Sequence, residues 1–137
     1  MSMVYTEITL KNLYDGKSAA NGQIKPKDIR TETITAVADT GSMYLVITEE
    51  IRQKLGLEIK GERIANIANG QRITCQITES VEVHWKDRET AVPAMIIPGA
   101  KKVLFGALPM EAMDLMVNPV TQEVVGVHGD REEFYAL

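Results

Sequence analysis

Cysteine is almost absent from this chain. Cys75 stands alone, so no disulfide closes within it, and with no second Cys or nearby His it completes no zinc-type spacing. A lone Cys is read as a small core residue. Histidine is nearly as scarce: His84 and His128 are the only two, neither with a Cys or carboxylate partner at a telling spacing, and both read as surface residues. No apolar run approaches the roughly 18 residues of a membrane helix, and Met1 to Leu10 lacks the basic start and apolar stretch of a signal peptide. The expectation is a cytoplasmic chain with no membrane partner. Positive charge is also in deficit, with 15 Lys and Arg against 19 Asp and Glu. Lys101-Lys102 and Lys25 to Lys27 are too short to form the basic stripe of a nucleic-acid binder.

What is present is an ordinary globular composition, 45% hydrophobic and 25% charged over 137 residues. That length suits a single domain spanning residues 1–137. No internal repeat or linker interrupts it.

Val4, Thr6, Ile8 and Leu10 alternate with Tyr5, Glu7 and Thr9, the period of two that marks a half-buried strand. From Lys11 to Lys27 the turn formers Asn12, Asp15-Gly16, Asn21-Gly22 and Pro26 predict a hairpin connection or a long loop. The chain is extended again from Ile29, and Ala36-Val37-Ala38 is apolar on both faces, so this strand runs into the interior. A strand over Met43 to Ile47 follows. Thr48 then caps a short helix with Glu49 and Glu50 in its first turn, Ile51 and Leu55 on one face and Gly56 at its end.

Ala68-Asn69-Gly70-Gln71 separates two extended segments and predicts a β-hairpin, because Asn and Gly both tolerate positive φ. Val81 to Trp85 and Ala91 to Ile97 form a second hairpin around Lys86 to Glu89, closed by Pro98-Gly99. Val103 to Phe105 reads as a short buried strand, Leu108 to Met113 as a turn or two of helix, and Leu115 to Val117 and Glu123 to Val127 as closing strands. Met110, Met113 and Met116, spaced by three, fit a short helix packing on a core. The sum is a mainly β domain, a small barrel or sandwich.

Asp39-Thr40-Gly41-Ser42 is the one place where a lone carboxylate follows an apolar strand at a glycine turn. The triplet by itself is weak: at average residue usage it arises in about a few per cent of chains this long, and Asp, Gly and Ser are ordinary turn formers.

The order of the surrounding segments, however, resembles that of the retroviral-type (retropepsin-like) aspartic peptidases and their small bacterial relatives over nearly the whole chain. In that family an apolar strand enters the catalytic Asp-Thr-Gly, as Ala36-Val37-Ala38-Asp39-Thr40-Gly41 does here. The strand and helix of the bacterial members are matched by Tyr44 to Ile47 and Gln53 to Leu57. A glycine-containing hairpin flap follows, here Ala68-Asn69-Gly70, with Asn69 where those relatives often carry an acidic residue. Last come two apolar residues and a Gly leading into a short helix and closing strand, to which Val103 to Gly106 and Met110 to Pro119 are similar. Phe105 replaces the usual aliphatic residue, and Ala107 a polar one.

The resemblance implies a small closed barrel of the retroviral aspartic protease type with one or two short helices. It implies an aspartic endopeptidase acting on peptide or protein substrate through an Asp pair formed across a homodimer, with no metal and no cofactor. Asp39 would be the catalytic carboxylate. Thr40 would reach across the dimer, Gly41 would let the backbone approach, and Ser42 would donate to the outer Asp39 oxygen. Ala68, Asn69 and Gly70 would close over the substrate. The alternative is a non-catalytic binding or dimerisation module with the same fold; a peptidase dedicated to one partner or to self-processing is a third reading.

Overall fold

The alternating segment at the start forms β1 (Val4–Asn12), which pairs antiparallel with β2 (Thr31–Ala38) from Val4 opposite Ala38 to Lys11 opposite Thr31. The computed structural model describes residues 3–136; Met1, Ser2 and Leu137, which the single-domain expectation includes, lie outside the described residues.

Between these strands the expected loop is instead a helix, α1 (Leu13–Ala20), followed by a 3₁₀ turn at Pro26–Asp28. None of its residues is buried, so hydrophobic periodicity gave no sign of it. Its ends are fixed by polar contacts. The Asn12 side chain accepts the Asp15 N–H at 2.9 Å and donates to the Leu55 carbonyl at 2.8 Å. The Asp15 carboxylate receives both Nε and Nη2 of Arg30, at 2.8 and 3.0 Å.

The chain continues through β3 (Leu45–Ile47), α2 (Glu49–Leu55), β4 (Ile59–Asn66), β5 (Arg72–Trp85) and β6 (Arg88–Ile96). It ends with β7 (Leu104–Phe105), α3 (Ala107–Ala112), β8 (Leu115–Asn118) and β9 (Glu123–Gly126). The α2 helix follows its sequence signals: Thr48 Oγ1 accepts the Ile51 N–H, and Gly56 leaves the helix at φ 66°. The extended segment expected after Gln71 and the strand expected over Val81 to Trp85 are one long β5, with a bulge where the register against β6 shifts between Ile77 and Ser80.

Seven strands lie in the order β1-β2-β7-β3-β6-β5-β4, and a further pairing of β1 with β5 closes the first six into a ring. The fold is therefore mainly β, of the retropepsin type expected. Inside the ring, Leu10, Leu45, Ile47, Val81, Val83 and Phe105 are fully buried. Met110 and Met113 join this core, whereas Met116 is exposed. Cys75 is buried, and burial pushes its thiol pKa up. The β8–β9 pair forms a small separate sheet. Among the described residues no helix is long and apolar enough to cross a membrane.

Candidate active site

The three apolar residues that end β2 are all buried, and they pair in parallel with β7: Val37 opposite Leu104, Ala38 opposite Phe105. Asp39 is the next residue, and its N–H donates to the Phe105 carbonyl at 3.0 Å. The carboxylate thus sits where a buried strand emerges. Because β7 lies between β2 and β3, residues 39–44 must cross its end to reach the far side.

That crossing is a tight turn. The Gly41 N–H donates to Asp39 Oδ1 at 2.9 Å, and the Ser42 N–H to the Asp39 carbonyl at 3.1 Å. Gly41 leaves room here: a Cβ would stand a tight 3.2 Å from Oδ1. Asp39 is half-buried and Thr40 exposed; among the described residues neither Asp39 Oδ2 nor the Thr40 hydroxyl makes a hydrogen bond.

The outer side of the turn is clamped by the start of α3. Ala107 N–H donates to the Ser42 carbonyl at 2.8 Å and Leu108 N–H to the Met43 carbonyl at 2.9 Å. This capture is why the predicted strand over Met43 to Ile47 begins only at Leu45. Gly106 makes the approach possible: a Cβ there would overlap the Tyr44 carbonyl oxygen and lie 2.6 Å from that of Ser42. The Ser42 hydroxyl donates to the Tyr44 carbonyl at 3.2 Å, not to Asp39 as the sequence resemblance suggested.

Beside the turn opens a cleft of about 370 Å³, bounded by residues 41–44, by Arg63 to Asn66 of β4 and Ile67 after it, and by Val46, Met95 and Ile97. Met43 and Ile64 bring exposed apolar surface to it. A larger cleft of about 530 Å³ lies against β2 and α2, lined by Tyr5, Glu50 and Lys101 among others. The smaller one is the better candidate for substrate because it shares the loop that carries Asp39.

Gly41 and Ser42 line this cleft, whereas Ala68, Asn69 and Gly70 do not. They form the exposed tip of the β4–β5 hairpin, Gly70 at φ 84° with its N–H on the Ile67 carbonyl. Sequence reasoning passed over Met43, Arg63, Ile64 and Ile67, although Ile64 was visible as an apolar residue in a strand of polar neighbours.

Both histidines have carboxylate partners after all. His128 Nδ1 lies 2.8 Å from Asp114 Oδ2 and His84 Nε2 2.5 Å from Glu82 Oε1. The second pairing was legible, since Glu82 and His84 are two apart on a strand and share a face. The first joins residues 14 apart through a turn at Asp114, whose φ is 57°.

No curated protein matches the chain. The family model described as Aspartyl protease matches residues 20–126, from the last residue of α1 through β9 with Asp39 inside the match, and the chain belongs to that family as a retropepsin-like aspartic peptidase domain.

Proposed function

We propose that this chain is half of an aspartic endopeptidase whose active unit is a homodimer, with Asp39 and its copy as the catalytic pair. The observation that carries the reading is the setting of Asp39. It emerges from a buried strand, one oxygen is fixed by the Gly41 N–H, and the turn that it opens borders a cleft lined on its other side by residues 63–67 and Met95.

Peptide hydrolysis by this chemistry needs two carboxyls sharing one proton. The ionised one takes a proton from water as the water oxygen bonds to the scissile carbonyl carbon. The protonated one hydrogen-bonds the carbonyl oxygen, and a proton then passes to the leaving nitrogen as the C–N bond breaks. The chain holds a single Asp-Thr-Gly, and a two-fold contact is the simplest source of the second. Two carboxylates about 3 Å apart do not both ionise cheaply, which is why such a pair shares one proton.

Thr40, exposed and without a hydrogen bond among the described residues, is assigned a partner across the two-fold axis. Ser42 and the Ala68-Asn69-Gly70 tip are assigned to substrate, the tip by moving over the cleft to exclude water. The cytoplasm is the proposed compartment. The test is cleavage of a mixed peptide library followed by mass spectrometry between about pH 4 and pH 7. Cleavage is expected below neutrality in wild type and not in Asp39→Asn. Cleavage retained by Asp39→Asn removes Asp39 from the mechanism.

A further inference from the structure

We propose that Glu82, His84 and Glu89 form a binding site for a divalent transition-metal ion, Zn²⁺ foremost, on the outer face of the β5–β6 hairpin. Strand geometry creates the cluster. Glu82 and His84 are two apart on β5 and project from one face, while the register sets Glu89 directly opposite His84. One donor atom from each lies within 4.8 Å of the other two. His84 Nε2 is 2.5 Å from Glu82 Oε1 and 3.6 Å from Glu89 Oε2. Ligands bound about 2.0 to 2.1 Å from a tetrahedral ion stand roughly 3.4 Å apart. Side-chain rotation therefore reaches that geometry without moving the backbone.

The supports suit a site. Glu82 and His84 are half-buried on a strand held from both sides, by β1 through Lys11 and Thr9 and by β6 through Ala91 and Glu89. Glu89 is exposed and free to swing onto an ion. A cleft of about 400 Å³ between α1 and β5 reaches Glu82 and gives access.

Charge and ligand type then choose the ion. Two carboxylates flank one imidazole, and among the described residues Lys11, across from Glu82, forms no ion pair with it. One nitrogen with carboxylate oxygens fits Zn²⁺ better than Ca²⁺ or Mg²⁺, which favour all-oxygen sets, or Cu⁺, which favours sulfur. Water would complete the coordination. The site is separate from the Asp39 chemistry: β1 faces Ala38 at Val4 and His84 at Thr9, five residues or about 17 Å apart along the strand. An ion here ties together the turn end of the hairpin.

The test uses the full chain without an affinity tag, stripped by chelator and titrated with ZnCl₂ by calorimetry, with His ring ¹⁵N shifts followed by NMR. One Zn²⁺ per chain is expected, with the shifts at His84. His84→Ala and Glu89→Gln are each expected to weaken binding about tenfold or more, and His128→Ala to leave it unchanged. Glu89→Gln alters an exposed side chain and decides the matter if His84→Ala fails to fold. No saturable binding, equal affinity in wild type and Glu89→Gln, or shifts confined to His128 would overturn the site.

Discussion

Gly106 shows how one residue far from Asp39 in sequence holds the Asp39 turn in shape. Its missing Cβ is what allows α3 to seat its first N–H groups on the Ser42 and Met43 carbonyls. Gly106→Ala is expected to lower the unfolding free energy by about 1 to 3 kcal/mol, the usual cost of overpacking. Urea denaturation measures it, and an unchanged midpoint would mean that the clamp is slack. Asp114 carries a second residue-scale prediction. Burial pushes its carboxyl pKa up, but the hydrogen bond from His128, the Glu133 N–H and the nearby charges of His128 and Arg88 outweigh burial and hold it below the ordinary range. A carboxyl whose folded pKa is depressed stabilises the fold above its unfolded value of about 3.9, and that contribution is lost as pH falls through the folded value. Asn tolerates the φ of 57° found there. Asp114→Asn is thus expected to have a lower Tm at neutral pH and a flatter loss of Tm below about pH 4. An acid limb as steep as that of wild type would exclude Asp114 as its source. The Asp39 turn itself was readable from sequence because strand, carboxylate and glycine are contiguous. Gly106 and Asp114 act across space on segments remote in the chain, and no local pattern marks such contacts.

At the scale of elements, legibility followed the kind of force that makes each one. The α2 helix has a cap, a shared apolar face and a terminal Gly, all local, and its limits were read almost to the residue. The β4–β5 hairpin was also read, yet only Gly70 takes positive φ; Asn69 instead accepts the Gln71 N–H on its carboxamide at 2.9 Å. Its turn is a three-residue loop with Gly in the left-handed position, a common alternative to the two-residue form. The α1 helix was missed because it is made by tertiary contacts: Asn12 to Leu55 and Asp15 to Arg30. Gly16 inside it and Asn21-Gly22 behind it gave the local signature of a loop. Asp15→Ala is therefore expected to melt α1 as a local unit while the ring stays folded. Hydrogen exchange would show protection lost over residues 13–20 and kept in β5 and β6. Loss in all of them would make α1 part of the global unit. Thr48→Ala, by contrast, is expected to cost about 1 kcal/mol of global stability, the usual value of an N-cap, because α2 packs Leu55 into the core.

At the scale of the whole molecule, alternation showed which face of each strand is buried but not which strands are neighbours. The closing of the ring by β1 against β5, and the placing of β7 between β2 and β3, are long-range pairings that follow only once every strand seeks a partner for its backbone groups. On the proposed reading the domain so formed is a half-site, with Asp39 as its one catalytic carboxylate and one Thr40 whose hydroxyl makes no hydrogen bond among the described residues. Thr40 therefore separates a working dimer from a simple turn. If it only fills the turn, replacing it by Val or by Ser has the same small effect. If its hydroxyl meets a backbone group of the second copy, Thr40→Ser keeps that bond and retains the dimer. Thr40→Val leaves the partner group buried and unmatched, at about 1 to 3 kcal/mol per site, and two-fold symmetry applies the loss twice. Sedimentation equilibrium of wild type and both variants measures the dissociation constants directly. The expected order is wild type and Thr40→Ser tight and nearly equal, with Thr40→Val weaker by at least about tenfold, the equivalent of 1.4 kcal/mol. Equal constants for Thr40→Val and wild type would remove Thr40 from the interface, and a wild-type chain that stays monomeric at tens of micromolar would remove the shared site itself.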